Sequence, residues 1–154
     1  MPEDFAGEEG QMATPKVLFV CTGNSARSQM AEGFARTYVG TAVEVSSAGM
    51  EPAGLNPFAV AVMRERGIDI NEQQSKAFAE NLARTMDYVI TVCGHAEERC
   101  PLLPPEVKRF HWPLDDPART EGSADRVLEV FRASRDEIER RVRAFLGELG
   151  VPAA

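Results

Sequence analysis

The run Val17-Leu18-Phe19-Val20 is apolar throughout and stops at Cys21, where a short polar loop leads directly into helical spacing. With β-branched or aromatic residues at three of its four positions, it reads as a buried parallel strand. Beyond the loop Cys21-Thr22-Gly23-Asn24-Ser25-Ala26-Arg27-Ser28, the residues Met30, Phe34 and Tyr38 form one stripe, with Ala31 and Ala35 beside it. That is the spacing of an amphipathic helix. A strand handing over to a helix in this way points the loop's backbone N–H groups into one concavity at the helix N-terminus. Such a concavity binds a tetrahedral oxyanion. Arg27 adds a planar fork for two oxygens, and the same field favours a thiolate at Cys21, the nucleophilic form. A lone cysteine is more often a small buried hydrophobe; the ordered set of strand, Cys-(x)5-Arg-Ser and helix distinguishes this one.

The alternation continues along the chain. Ala42-Val43-Glu44-Val45-Ser46 reads as a second short strand and Ser47-Ala48-Gly49 as a turn. Asn56-Pro57 supplies an N-cap and a first-turn proline for a helix that ends at Gly67. A further helix is expected over 79–84. Tyr88-Val89-Ile90-Thr91-Val92 is the second strong strand and ends at Cys93, and Val107 to Trp112 is a weaker one. Val127, Val130, Phe131, Ile138, Val142, Phe145 and Leu149 mark a long C-terminal helix, preceded by Gly122-Ser123 and stopped by Gly150. The fold class is α/β: a small four-stranded parallel sheet flanked by helices on both faces. Residues 1–14, acidic and aperiodic, are expected to be a disordered tail, and 15–150 a single catalytic domain. Ligands of such sheets sit at the carboxyl ends of the strands. Cys21, Cys93 and the pair Asp115-Asp116 all fall on that edge.

A net charge of −7 argues against a nucleic-acid partner. It also works against long-range attraction of a small anion, so anion binding must be local. No apolar stretch is long enough for a bilayer, and the acidic start lacks a basic, then apolar, secretory pattern. A cytoplasmic monomer, with no membrane partner, is expected. The three cysteines, Cys21, Cys93 and Cys100, are an odd set unsuited to a disulfide framework in a reducing compartment. Reactive chemistry or a metal site remains, and only His95 and His111 are available to complete a zinc set.

Cys21 to Ser28 together with Asp116-Pro117 resembles the low-molecular-weight protein tyrosine phosphatases. The pair Cys93 and Cys100, in Cys93-Gly94-His95-Ala96-Glu97-Glu98-Arg99-Cys100, resembles the thioredoxin-coupled arsenate reductases built on that fold. The likeness runs from about Lys16 to Leu149 and includes Ser47-Ala48-Gly49, Asn56-Pro57 and His111-Trp112. It implies that Cys21 attacks arsenate held by the amides of Thr22, Gly23, Asn24, Ser25, Ala26, Arg27 and Ser28 and by the Arg27 guanidinium. Ser28 would help keep Cys21 ionised, Asn24 would brace the loop, and Asp116 would be the general acid. Cys93 and then Cys100 would carry the oxidation to a Cys93–Cys100 disulfide for thioredoxin to reduce, with no bound cofactor. Phosphate and sulfate are expected as competing oxyanions.

Geometry adds a constraint. Seven steps of continuous α-helix separate residues 93 and 100 by roughly 10 Å, whereas a disulfide needs Cα atoms within about 7 Å. If the segment is helical, it must bend or unwind to close the bridge. Asp115 competes with Asp116 for the acid role, and the resemblance favours the aspartate that precedes proline. His111 and Trp112 are expected to pack beneath the site.

The chain departs from the pattern in three places. Some relatives bind potassium through residues matching Asn24, Glu32, Ser47 and an aspartate, whose place Lys76 takes here. An ammonium there is expected to pair with Glu32 and make potassium unnecessary. Ala26 stands where some relatives carry another cysteine. Ala118 stands where the phosphatases carry an aromatic wall, which leaves room for a small inorganic substrate. Two alternatives stay open: a phosphomonoester hydrolase whose distal thiols protect Cys21, and a module that binds As(III) or metal through three thiols.

Overall fold

The computed structural model describes residues 14–151. The expected tail, apart from Thr14, lies outside them. The elements run β1 (Lys16–Cys21), α1 (Arg27–Val39), β2 (Glu44–Gly49), α2 (Pro57–Arg64), α3 (Glu80–Ala83), β3 (Tyr88–Thr91), α4 (Gly94–Arg99), β4 (Lys108–His111), a single 3-10 turn (Pro117–Arg119) and α5 (Ala124–Glu148). All strands are parallel, in the order β2-β1-β3-β4.

Strand β1 is central, and Val17 to Cys21 are each at most 2% exposed, as expected of a strand covered on both faces. The stripe on α1 is buried as its spacing requires, with Met30 and Phe34 fully so. α5 packs against α1 and α2 and reaches β3 and β4 through Phe145, whose ring meets Tyr88, Phe110 and, just beyond β4, Trp112 edge-on. Trp112 also packs on Phe19 of β1, the packing role expected of it. Caps follow the sequence signals. Asn56 accepts from the N–H of Phe58 and Pro57 opens α2, Ser123 accepts from that of Arg126, and Gly150 leaves α5 at φ +76.

One local expectation is corrected. Ser47-Ala48-Gly49 is the end of β2, paired with Phe19 to Cys21 of β1, and not a turn. Gly49 is there because nothing larger fits. A Cβ at this position would lie 2.6 Å from the Asn24 nitrogen and 2.7 Å from the Thr22 oxygen. β2 therefore runs directly beneath the loop that follows β1.

The strand order places the site. From β1 the chain winds to β2 on one side and then crosses to β3 on the other, so the β1–β3 boundary is the switch point at which such sheets open a crevice. Val92 N–H donates to the Val20 carbonyl at 2.8 Å, which brings Cys21 and Cys93 to the ends of neighbouring strands.

Candidate active site

The loop from Cys21 to Arg27 is shaped by its carbonyls. Those of Cys21, Thr22, Gly23 and Ser25 accept from the N–H groups of Met50, Glu51, Ala53 and Asn56 at 2.7–3.1 Å. With the carbonyls turned toward residues 50–56, the N–H groups face the opposite way. Those of Gly23, Ser25 and Ala26 have no protein acceptor among the described residues. Asn24 takes φ +47 to make the turn, a conformation that asparagine tolerates better than most residues. The result is a nest of free donors at the start of α1.

Cys21 Sγ lies inside this nest, 2% exposed. It accepts from Asn24 N–H at 3.2 Å and contacts Ser28 Oγ at 2.8 Å. The direction of the Ser28 contact follows from its neighbours. Asn24 Nδ2, a donor only, gives one hydrogen to Ser28 Oγ at 2.8 Å and the other to Ser47 Oγ at 2.9 Å. Each hydroxyl must therefore send its own hydrogen elsewhere. Ser47 gives its hydrogen to Glu32 Oε1 at 2.5 Å, and that of Ser28 is free for the Cys21 sulfur. A sulfur ringed by donors is suited to carry negative charge. The chain of bonds is entirely buried, with Asn24, Ser28 and Ser47 at 0% and Glu32 at 1% exposure.

Arg27 is 7% exposed. Its Nη1 donates to the Leu114 carbonyl at 3.0 Å, and its Nη2 lies 3.6 Å from Asp116 Oδ2. Asp116 caps the 3-10 turn through Oδ1, which accepts from Ala118 N–H. A cleft of about 280 Å³ opens over the loop, lined by Cys21, Arg27, Asp116, Ala118, Ala53 and Glu51 among others. Asp115 does not line it but faces the adjoining cleft over Cys93. Asp116 lines both clefts, Asp115 only the one over Cys93. Ala118 contributes only a methyl group to the wall.

Cys93 caps α4, its Sγ accepting from Ala96 N–H at 3.4 Å, and lies 3.2 Å from Thr22 Oγ1. Cys100 closes the other end of α4, 8% exposed, and its thiol is pushed up by burial, with the charge of Arg109 opposing. The segment between them is helical with all three cysteines free. α4 is anchored by Glu97, which accepts from Thr91 Oγ1 at 2.7 Å and pairs with Arg109 at 3.2 Å. Arg109 also donates to the carbonyls of Glu97 and Pro101 at 2.9 Å.

The expected pairing of Lys76 with Glu32 is corrected. Asn24, Ser47 and Glu32 do come together, and Lys76 joins them through its backbone N–H, which donates to Asn24 Oδ1 at 2.7 Å. Its ammonium turns back to the Gln74 carbonyl at 2.9 Å. Glu32 is instead met by Arg36 at 2.7 Å, which sits one helical turn along α1 and needs no chain reversal to reach it.

Three contributors were not legible as motifs. Gln29 Nε2 braces the loop by donating to the carbonyls of Asn24 and Gln74. Arg109 anchors α4. Glu51 lines the cleft and pairs with Arg99 at 2.8 Å. The only available signal for Glu51 was its position two residues after Gly49, where the chain leaves the strand beside the nucleophile loop.

Residues 16–152 match the profile of the low molecular weight phosphotyrosine protein phosphatases. The chain is 49% identical over 134 residues to the arsenate reductase of Bacillus licheniformis, which covers 87% of this chain and 96% of that protein. It is similar to a solved arsenate reductase in the phosphate-binding state, with TM-score 0.71 and 40% identity over 87% of this chain and 98% of that one. A third relative is the thioredoxin-dependent arsenate reductase of Corynebacterium glutamicum, with TM-score 0.64 and 31% identity, covering 86% of this chain and 64% of its own.

Proposed function

The chain belongs to the low molecular weight phosphotyrosine protein phosphatase family, and from that premise we propose that it works as an arsenate reductase recycled by thioredoxin. The observation that carries the reading is the position of Cys93. Its sulfur lies 3.2 Å from Thr22 Oγ1 at the end of the strand beside that of Cys21, and a third thiol waits one short helix away. Phosphoester hydrolysis itself calls on neither thiol.

The chemistry follows from the groups in place. Arsenate enters the nest, held by the free N–H groups and Arg27, and the Cys21 thiolate attacks arsenic. Asp116, within the same cleft, gives its proton to the departing oxygen, which leaves as water. The Cys93 thiolate then attacks Cys21 Sγ. The S–As bond breaks with its electron pair going to arsenic, so As(V) becomes As(III), and arsenite leaves behind a Cys21–Cys93 disulfide. Cys100 attacks Cys93 Sγ, releasing the Cys21 thiolate and forming the Cys93–Cys100 disulfide. The dithiol of reduced thioredoxin returns two electrons and two protons. Residues 15–150 act as one catalytic unit, and a cytoplasmic setting suits three free thiols and a dithiol donor. Phosphate and sulfate compete for the nest. Weak phosphomonoester hydrolysis accompanies the main reaction, because the loop, Arg27 and Asp116 serve both, while the small wall at Ala118 disfavours aryl substrates.

The test is arsenate-dependent NADPH oxidation, coupled through thioredoxin and its reductase, for the wild type, Cys93→Ser and Cys100→Ser. Multiple turnover in the wild type alone is expected. Absence of coupled turnover in all three, with aryl phosphate hydrolysis in each, would make the protein a phosphatase. Tight arsenite binding with neither activity would make it a sequestering module.

A further inference from the structure

Glu51 stands at the rim of the oxyanion cleft and also lines the cleft over Cys93. Its backbone is tied to the nucleophile loop, since its N–H donates to the Thr22 carbonyl at 2.7 Å. A carboxylate at the mouth of an oxyanion site opposes the ligand the site is built for. Here its charge is answered from across the cleft. Arg99 Nη1 donates to Glu51 Oε2 at 2.8 Å and to His95 Nε2 at 3.2 Å, and His95 Nε2 lies 3.8 Å from the same carboxylate oxygen. Arg99 and His95 stand one turn apart on α4. The cancellation therefore lasts only while α4 is helical. None of the catalytic steps above uses this cluster.

Closing the Cys93–Cys100 bridge ends that condition. Cys93 and Cys100 flank the six-residue helix at opposite ends; seven residues of ideal helix span roughly 10 Å, beyond the reach of about 7 Å that a disulfide allows. Arg99 is the residue next to Cys100 and must move with it.

We propose that Glu51 and Arg99 form a redox-coupled clamp on the oxyanion cleft. In the reduced enzyme the clamp is closed, α4 is docked against the nucleophile loop and the Glu51 charge is neutralised. In the Cys93–Cys100 disulfide the clamp is open, and the bare Glu51 carboxylate disfavours a second oxyanion until thiols are restored. The clamp rests on the arsenate reductase reading, which supplies the redox step: two thiols become one S–S bond, their two electrons pass to arsenic, and a dithiol returns two electrons and two protons. Glu51 is a positioning residue, acting through Arg99 and the charge it leaves behind. By linkage, whatever factor oxidation removes from oxyanion affinity, a bound oxyanion returns by favouring the reduced enzyme.

Inorganic phosphate is the probe, because it fills the nest without being reduced. Its affinity is measured by calorimetry on the full chain, once with all thiols reduced and once after diamide oxidation, with the Cys93–Cys100 bridge verified by peptide mass. The reduced wild type is expected to bind about two- to fivefold more tightly than the oxidised form, the scale of one exposed charge pair. The two partners move the result in opposite directions. Glu51→Gln brings both redox states to the tight value, whereas Arg99→Gln brings both to the weak one. A merely structural contact would weaken binding in both variants. Both side chains are about half exposed or more, at 65% and 49%, so neither change threatens the fold. Equal phosphate affinity in the two redox states of the wild type, or weaker binding in oxidised Glu51→Gln, overturns the clamp alone. Failure of the Cys93–Cys100 bridge to form overturns both the clamp and the reductase reading.

Discussion

The nucleophile loop and the relay helix meet at one crevice, but they are held by opposite means. The loop around Cys21 is fixed by backbone carbonyls and by a buried run of short side chains, from Glu32 through Ser47, Asn24 and Ser28 to the sulfur. No link in that run reaches solvent, so none is screened, and breaking one strands a buried polar group. α4 has only six residues, well below the length at which a helix stands alone. It depends on Arg99–Glu51 and Arg109–Glu97, pairs partly open to water and individually worth little. The site thus joins a part that must not move to a part that must, and burial is what separates them.

The largest expected effect comes from the rigid half. Cys21→Ser removes the attacking thiolate and should lower arsenate reduction and aryl phosphate hydrolysis alike by at least about a thousandfold. A variant that keeps either activity would break the premise that both chemistries share the loop. Next is Gly49→Ala, which drives a Cβ into backbone at 2.6 Å. A loss of about 2 kcal/mol or more is expected in urea unfolding, and a value near zero would show that the loop can yield. The mobile half is tested by hydrogen exchange. Residues 94–100 should lose protection on oxidation to the Cys93–Cys100 disulfide while residues 22–28 do not, and equal protection of α4 in both states would sink the contrast.

Acid should loosen the same helix in milder fashion. Burial pushes the Glu97 carboxyl up, but the Thr91 hydroxyl and the Arg109 charge outweigh it and hold the group below its ordinary 4.5. A depressed carboxyl contributes stability above its unfolded value and loses it as pH falls through the folded one. Protection factors in α4, taken against the intrinsic exchange rate at each pH, should therefore fall as pH drops below about 4.5, with the Cys21 loop lagging behind. The smallest effect concerns potassium. With Glu32 already met by Arg36, replacing sodium by potassium at equal ionic strength should change turnover by less than about twofold. A large potassium-specific rise would refute this.

How far the sequence could be read depends on whether a feature is local. β1, β3 and α1 were legible because each is an uninterrupted periodic run, and the Cys21–Ser28 loop because its residues are contiguous. The long range of α5 is legible for the same reason, from Val127 to Leu149. The strand pattern stops at Ser46, three residues short of the end of β2, since Ser47-Ala48-Gly49 has turn composition and becomes strand only because β1 offers it a ladder. Lys76 could be placed near Asn24, but not the direction of its side chain, which a single carbonyl decides. Glu51 and Arg99 lie 48 residues apart, and no spacing rule connects them.

The carbonyl bonds that shape the nucleophile loop draw on the N–H groups of Met50, Glu51 and Ala53, which almost any residue type supplies. The catalytic geometry is therefore insulated from the identity of the side chains around its rim. Drift at 51 and 53, whose side chains line the cleft, can retune which anions enter without disturbing how they are held. A library randomised at those two positions should yield folded, reactive proteins at high frequency, differing in substrate preference and sharing one nest.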